Sequence, residues 1–187
     1  MAFTVSTFKS SIAAQSGGAR PALYEIKIEG GTAITAASFT LSENILCKAA
    51  SIPPANIAPL AVNYAGRAYK WNGFRTYDNW TVTVINDEDF GIRNKMMYWM
   101  RKLGGRLEGT RNSIFGEQIQ GTGFKDGDAT VTQLSTAGKP MQTYKFHYLW
   151  PTEVAGIPVD WSSDAIQEYT ITFSYDYWTH GSVVSAT

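Results

Sequence analysis

The sequence predicts a mainly β domain that contains one interior α-helix. Four segments alternate apolar and polar residues with the period of two that half-buried strands show. Only one interior segment places apolar residues at helical spacing between a capping residue and a pair of glycines. The chain has 187 residues, enough to bury a core without disulfide bonds, and it has a single cysteine, Cys47.

The first twenty residues are predicted to form an arm with a short helix. Val5, Phe8 and Ile12 lie on one face at helical spacing, and two glycines at 17 and 18 end the run. A helix this short is not stable alone in water, so we expect these three side chains to dock on another surface. We therefore divide the chain into an arm (1–20), a main domain (21–178) and a C-terminal tail (179–187).

The strongest strand predictions are the four alternating segments, residues 23–29, 80–84, 143–150 and 169–177. In the last of them, Tyr169, Ile171, Phe173, Tyr175 and Tyr177 are predicted to share one face. Weaker strand candidates are residues 33–40, 45–50, 58–64, 68–72 and 153–159. The sequence Ala-Gly-Arg at 65–67 is predicted to be a hairpin tip.

The interior helix is predicted over residues 87–103. Asn86 can cap it, and the three acidic residues that follow suit the positive end of the helix dipole. Arg101 and Lys102 occupy the last turn, and Gly104 with Gly105 ends the helix. The apolar side chains assigned to its buried face are Phe90, Met96, Met97, Met100 and Leu103.

Residues 104–138 differ from the rest because they contain eight of the 17 glycines. A loop of that length without structure is improbable inside a compact domain. Its apolar residues give it something to bury, so we expect contact with a neighbouring subunit to order it. These residues are Ile114, Phe115, Ile119, Phe124, Val131 and Leu134.

The charge balance excludes several classes of protein. Sixteen basic and sixteen acidic residues give a net charge of zero, which argues against a general nucleic-acid binder. No apolar run approaches the roughly 20 residues that span a bilayer, and the N-terminus lacks the pattern of a signal peptide, so we expect assembly in the cytoplasm. Residues 146–187 contain no Lys or Arg but five acids: Glu153, Asp160, Asp164, Glu168 and Asp176.

Patterns typical of catalysis or metal binding are weak. Cys47, His147 and His180 show no zinc-site spacing, and residues 86–89 are explained by a helix cap without a calcium site. The sequence has no nucleophile elbow and no phosphate loop. We therefore predict no catalytic residue, no metal and no cofactor. Two alternatives stay open: a monomeric carbohydrate-binding β-sandwich that uses exposed aromatic residues, and a hydrolase with a carboxylate pair.

Several motifs, in order along residues 19–178, resemble the tail tube proteins of contractile-tailed (myovirus-type) bacteriophages. The most specific are DNWTVTVINDE at 78–88 and LWPT at 149–152. ARP at 19–21, CKA at 47–49, VDW at 159–161 and DYW at 176–178 add to the resemblance.

The resemblance implies a non-enzymatic building block with an antiparallel β-sandwich or barrel and one flanking helix. Six such subunits form a ring whose strands join into a continuous inner barrel, and the rings stack into a tube inside a contractile sheath. The implied partners are further copies of the chain, the tail sheath protein, baseplate and tail-terminator proteins, and the tape-measure protein and DNA in the lumen. The implied location is the virion tail, without a membrane anchor. The tube of a phage-derived contractile injection system is the alternative within the same architecture.

The acidic C-terminal part of the chain suggests what lines the lumen. Lys–phosphate contacts add binding, so an acidic lumen without cations would let DNA slide. We therefore expect residues 144–150 and 168–178 to contribute to the core and inner barrel. Asp164, Glu168 and Asp176 are the predicted lumen-facing acids.

Overall fold

The structure is a computed structural model that describes residues 4–14, 17–31, 37–104 and 127–182. Its elements in chain order are α1 (Val5–Ala14), β1 (Tyr24–Glu29), α2 (Leu41–Ile45), β2 (Cys47–Ala50), β3 (Asn56–Tyr64), β4 (Arg67–Thr76), β5 (Trp80–Ile85), α3 (Gly91–Gly104), β6 (Gly127–Leu134), β7 (Pro140–Val154), β8 (Glu168–Ser174) and β9 (Tyr177–Ser182). The predicted mainly β fold with a flanking helix is confirmed.

Two antiparallel sheets share the long strand β7. The first sheet has the order β1-β6-β7-β9, and the second has the order β7-β8-β5-β2. The N-terminal part of β7 pairs with β9, whereas Trp150 to Val154 pair with β8. On the opposite side, the hydroxyl of Tyr24 donates a hydrogen bond to the carbonyl of Cys47 at 3.0 Å and ties β1 to β2. The sheets therefore face each other as a sandwich that β7 joins on one side.

The core lies between the facing sides of the two sheets. Trp80 is 2% exposed, with its ring 4.5 Å from that of Phe146 and 5.6 Å from that of Phe173. Burying each large apolar side chain of this kind contributes roughly 1.5–3 kcal/mol. The remaining core residues from the strands include Ile26, Ile28, Val82, Val84, Ala129, Val131, Leu149, Tyr169 and Ile171.

A bulge in β7 explains why one predicted alternation is wrong. Residues 144–150 were expected to place Tyr148 on the core side, but Leu149 is buried and Tyr148 is exposed with φ +58°. The register slips opposite Gly127 and Ala129, so β7 holds one residue more than β6 there. Bulges bend a strand and increase its twist, and this one lets β7 leave the first sheet and enter the second.

The predicted strand over residues 169–177 is two strands in different sheets. Tyr169, Ile171, Phe173 and Tyr175 are buried, as the alternation predicted. The chain then turns at Asp176, whose N–H donates to the carbonyl of His147 at 3.1 Å. Tyr177 consequently begins β9 in the first sheet, where it pairs with His147.

The interior helix begins later than the predicted Asp87. Phe90 has φ +52°, and the N–H of Gly91 donates to the carboxylate of Asp87 at 3.0 Å, so α3 starts at Gly91 with Asp87 as its capping side chain in place of Asn86. Phe90 and Met97, which were predicted on the buried face, are exposed. The fully buried residues of α3 are Ile92, Met96 and Trp99.

The predicted glycine-rich loop contains β6, an interior strand of the first sheet. Val131 is buried within its own subunit, which corrects its assignment to a contact with a neighbour. A Cβ at Gly127 would lie 2.4 Å from the Trp99 ring and 2.6 Å from the carbonyl oxygen of Leu149, so this close approach requires glycine. Leu134, also expected at a contact, ends β6 and is half-buried, and the other four, Ile114, Phe115, Ile119 and Phe124, lie outside the described residues.

The short helix α2, which the strand patterns did not predict, is joined to α3 by an ion pair. Thr40 and Glu43 form a capping box at its start, and the carboxylate of Glu43 lies 2.6 Å from Nζ of Lys95. Burial raises the pKa of Glu43, but hydrogen bonds from Lys95 and Thr40 outweigh burial and hold the pKa below its ordinary value of 4.5. The pair therefore stabilises the fold above the pKa of the unfolded chain, and this stabilisation is lost as the pH falls through the lower pKa of the folded state.

We expect Glu43→Gln to lower the free energy of unfolding at neutral pH by roughly 1.5–3 kcal/mol, the contribution of a hydrogen bond to a charged group. Its deficit relative to the unsubstituted chain should shrink at an acidic pH below the lowered pKa of Glu43, because the unsubstituted chain then lacks the ionised carboxylate as well. Urea unfolding at the two pH values measures the difference. Glu25→Gln is the control, since its ion pair with Lys27 is solvent-exposed. A deficit that does not change with pH would show that the stabilisation does not come from the ionised carboxylate of Glu43.

Candidate assembly surfaces

The hairpin formed by β3 and β4 stands apart from the sandwich. Among the described residues, the two strands pair only with each other. Ala65 and Gly66 connect them with φ of +49° and +75°, which fits a two-residue hairpin turn and confirms the predicted tip. A two-stranded hairpin is marginally stable alone in water, so this one needs a covering partner.

In the half of the hairpin near its tip, one face is apolar and the other is not. The register pairs Leu60 with Trp71, Val62 with Tyr69 and Tyr64 with Arg67 on one side. Toward the tip the opposite side carries small or polar residues, among them the pair Ala61 and Lys70, and nearer the base it carries the exposed Ile57. We call the first side the apolar hairpin face, and its five apolar side chains are between 48% and 74% exposed. An exposed contiguous apolar patch of this kind marks an interaction surface.

Contacts at the base of the hairpin fix its direction. The indole N–H of Trp178 in β9 donates to the carbonyl of Pro54 at 3.2 Å. The guanidinium of Arg75 lies over the rings of Tyr77 and Trp178, 5.4 and 5.1 Å from their centres. A strand of nine residues extends about 30 Å from this anchored base, far enough to reach a neighbouring molecule.

The strand β9 leaves one edge of the first sheet open. Within the described part of the chain, β9 pairs with β7 on one side and with no strand on the other. An open edge presents unpaired backbone donors and acceptors, and natural proteins cover such edges or use them for pairing between chains.

The loop between β7 and β8 is a second exposed apolar surface. Val159, Trp161 and Ile166 are exposed, Trp161 completely. The carboxylate of Asp160 accepts hydrogen bonds from the N–H and hydroxyl of Ser162 at 2.9 and 2.8 Å, which hold a turn and lower the pKa of Asp160. We call residues 155–167 the acidic loop, because it contains two aspartates and no Lys or Arg. A groove of about 430 Å³ lies along it.

The N-terminal helix is confirmed, and its docking stays a prediction. Val5, Phe8 and Ile12 all lie in α1 and are all exposed. Within the described range 4–14, α1 has no buried residue.

The three predicted lumen acids do not form one cluster. Asp164 lies in the acidic loop, Glu168 begins β8, and Asp176 follows the end of that strand. Glu168 also forms an ion pair with Lys48 at 2.5 Å, so a cation from β2 adjoins the predicted acidic surface. Between these acids, the outward side of the second sheet carries hydroxyl side chains, which belong to Thr81, Thr83, Thr170, Thr172 and Ser174.

The structure shows which groups surround the residues that were considered for catalysis or metal binding. Cys47 is buried, and its burial, together with the nearby Glu43, raises the pKa of the thiol to about 12. His147 lies 3.7 Å from the carboxylate of Asp128, and His180 lies in β9 beside Gln142. In the described residues, no three His, Cys, Asp or Glu side chains converge on a metal position. No helix there is long and apolar enough to cross a membrane.

The apolar hairpin face is the surface that sequence analysis missed. The sequence does contain the signal for this face. Large apolar residues alternate with small or polar ones before the tip (Leu60, Val62, Tyr64) and after it (Tyr69, Trp71). The same alternation is typical of a strand whose apolar side is buried in its own domain.

Most of the chain matches a known protein family. The family model described as phage tail tube protein matches residues 19–181. The tail tube protein gp19 of Enterobacteria phage T4 is 32% identical over 166 residues, covering 86% of this chain and 90% of that protein. The tail tube protein of Serratia phage KSP90 is 21% identical over 173 residues, covering 92% and 94% of the two chains.

Solved structures share the fold at lower sequence identity. A chain in the six-fold symmetrised baseplate of the anti-feeding prophage superposes with a TM-score of 0.62 at 12% identity, covering 89% of this chain and 97% of that one. A chain in the extended sheath–tube complex of the extracellular contractile injection system PVC gives a TM-score of 0.57 at 15% identity, covering 97% and 100%.

Proposed function

This chain belongs to the phage tail tube protein family, and from that premise we propose that six copies close into a ring, that the rings stack into a tube inside a contractile sheath, and that the genome passes through the bore. A tail tube protein is a structural component of the virion tail. The proposal adds the number of copies, the stacking and the cargo.

The apolar hairpin face is the observation that best supports assembly. Five large side chains on one side of a projecting hairpin stay in water in the single subunit. Covering them with another copy removes apolar area from water at roughly 25 cal/mol per Å². The open edge of β9 supports the same conclusion, since joining edges around a closed ring leaves no free strand.

Electron microscopy of the purified protein tests the proposal. We expect rings or hollow tubes with six-fold symmetry in projection. A monodisperse species of 20.6 kDa at high concentration would contradict it and favour the carbohydrate-binding alternative.

We propose the tail sheath protein as the outer partner, baseplate and tail-terminator proteins at the two ends, and the tape-measure protein and DNA as transient occupants of the bore. Assembly in the host cytoplasm is part of the same proposal. The tube of a phage-derived contractile injection system is the second candidate, and the fold shared with two such assemblies favours it. A capsid or terminase gene beside the gene for this chain would favour the genome conduit.

We propose that the hydroxyl-lined side of the second sheet faces the bore, with Asp164, Glu168 and Asp176 at its ends. Replacing Glu168 and Asp176 by lysine should slow genome ejection, because each lysine adds a contact with a DNA phosphate. The tubes themselves should form normally. Asp164 is left unchanged in this variant because it lies in the acidic loop, and a substitution there would also alter an exposed apolar surface. Glu25→Lys with Glu29→Lys on β1 is the matched control. Equal ejection kinetics in both double variants would count against this lumen assignment.

We also propose that the segment before β6 and the N-terminal arm make contacts between subunits, through Ile114, Phe115, Ile119 and Phe124 in the first and Val5, Phe8 and Ile12 in the second. Deleting residues 109–124 should leave a folded subunit that does not form tubes. The deletion ends before Gly127 because β6 is an interior strand of the first sheet. Circular dichroism shows whether the variant is folded, and electron microscopy shows whether it forms tubes. Normal tubes would refute the proposal.

A further inference from the structure

We propose that the apolar hairpin face of one copy docks on the acidic loop of the next copy along the tube, with Trp71 in the groove of that loop. The inference rests on the proposed function, and it names the two surfaces that join successive subunits. It assigns a role to the fully exposed Trp161, which contributes nothing to the core of its own subunit.

The two surfaces lie at opposite ends of the second sheet. The hairpin leads into β5, whose first residue Trp80 pairs with Phe173 near the end of β8. The acidic loop leads into the start of β8, where Glu168 pairs with Ile85. The seven residues of β8 separate the two ends by about 20 Å. Two different surfaces at opposite ends of a subunit make a head-to-tail contact, and such a contact continues along an axis when its rotation does not close a ring.

The two surfaces carry opposite charge. Residues 56–76 contain Arg67, Lys70 and Arg75 and no acidic residue. The acidic loop contains Asp160 and Asp164 and no basic residue. Complementary charge of this kind orients two surfaces and disfavours the contact of either surface with itself.

The hairpin offers an exposed aromatic side chain, and the acidic loop offers a groove for it. Trp71 is 65% exposed on a hairpin anchored at its base, and the groove of about 430 Å³ is wide enough for an indole ring and a neighbouring side chain. Tryptophan and arginine dominate the energetic centres of interfaces when they fill preformed pockets. The turn that Asp160 holds fixes the backbone on both sides of Trp161, so the loop loses little backbone entropy when the partner binds.

The register of the hairpin selects the charged residue that faces the loop. Arg67 pairs with Tyr64 and therefore lies on the same side as Trp71, whereas Lys70 pairs with Ala61 on the opposite side. Arg67 is thus assigned to Asp160 of the next copy. Lys70 is a control residue with the same charge on the other side of the same strand.

Charge reversal in the full chain tests this assignment. Arg67→Glu alone and Asp160→Lys alone should each lower the apparent association constant for tube growth by about tenfold, which corresponds to about 1.4 kcal/mol. The double variant, Arg67→Glu with Asp160→Lys, should recover most of that loss. Lys70→Glu should leave tube growth close to that of the unsubstituted chain. Light scattering follows growth, and circular dichroism of each variant shows that the subunit is folded.

Two results would overturn the inference. The first is normal growth by both single variants, and the second is a double variant no better than the single ones. Normal growth together with lost binding of the sheath protein would also assign the hairpin to that other partner. An unsubstituted chain that forms neither rings nor tubes would instead contradict the proposed function, so the two failures are distinguishable.

Discussion

A subunit in which Leu60, Val62 and Trp71 are all replaced by serine is expected to fold normally and to form no tubes. These side chains lie on the apolar hairpin face, where none of them contributes to the core. Complete burial of such a side chain contributes roughly 1.5–3 kcal/mol, and about half of each one is still exposed, so removing all three takes away a large part of the free energy of that contact. Circular dichroism tests folding, and electron microscopy tests assembly.

The matched control places serine at Ala61, Asn63 and Ala68 on the opposite side of the same hairpin. We expect this control to form tubes, because it leaves the apolar face intact. Tubes of normal length and yield from the first variant would show that the hairpin face is not used in assembly.

Trp80→Ala is expected to destabilise the subunit by about 3–5 kcal/mol, the usual cost of truncating a large aromatic residue in a core. Trp80 packs between Phe146 and Phe173, and its indole N–H donates to the carbonyl of Ser51 at 2.9 Å. The substitution therefore leaves a cavity and removes the hydrogen bond to Ser51. Urea unfolding at a concentration below the onset of assembly measures the effect.

Trp71→Ala removes the same side chain from the hairpin and serves as the control. It should change the free energy of unfolding of the isolated subunit by less than about 0.5 kcal/mol, as exposed substitutions do. It should nevertheless impair assembly. An equal loss of stability in the two variants would mean that the hairpin is packed within its own subunit.

The elements that could be predicted from the sequence are those set by local chemistry. The strand that became β5 alternates buried Trp80, Val82 and Val84 with threonines, and it has the predicted pattern of burial. The hairpin tip followed from Gly66, because a two-residue turn needs positive φ. Both features depend only on a few neighbouring residues, so no knowledge of the tertiary partner was needed.

Other features depend on partners that are distant in sequence. The alternation of residues 143–150 fits a straight strand as well as a bulged one. The bulge at Tyr148 occurs because β7 passes from the first sheet into the second. The same exchange ended β8 and placed Tyr177 in the first sheet. The strand β6 was missed because its inward residues are small, apart from Val131, and it follows a glycine-rich segment.

The proposed assembly surfaces were predicted from the sequence only in part. The short stripe of Val5, Phe8 and Ile12 was recognised because a ten-residue helix cannot be stable alone. The alternation around Leu60 and Trp71 was assigned to ordinary strands, since a sequence pattern identifies an apolar side without saying what covers it. Exposure of that side in the folded subunit is the information that only the structure supplies.

Hydrogen–deuterium exchange of residues 56–76 in the dispersed subunit and in assembled tubes tests the central claim most directly. If neighbouring copies cover the hairpin, its amides exchange quickly in the dispersed subunit and are strongly protected in the tube, while the strands of the sandwich are protected in both. Hairpin amides that exchange equally fast in the two states, or that are already fully protected in the dispersed subunit, would contradict the account.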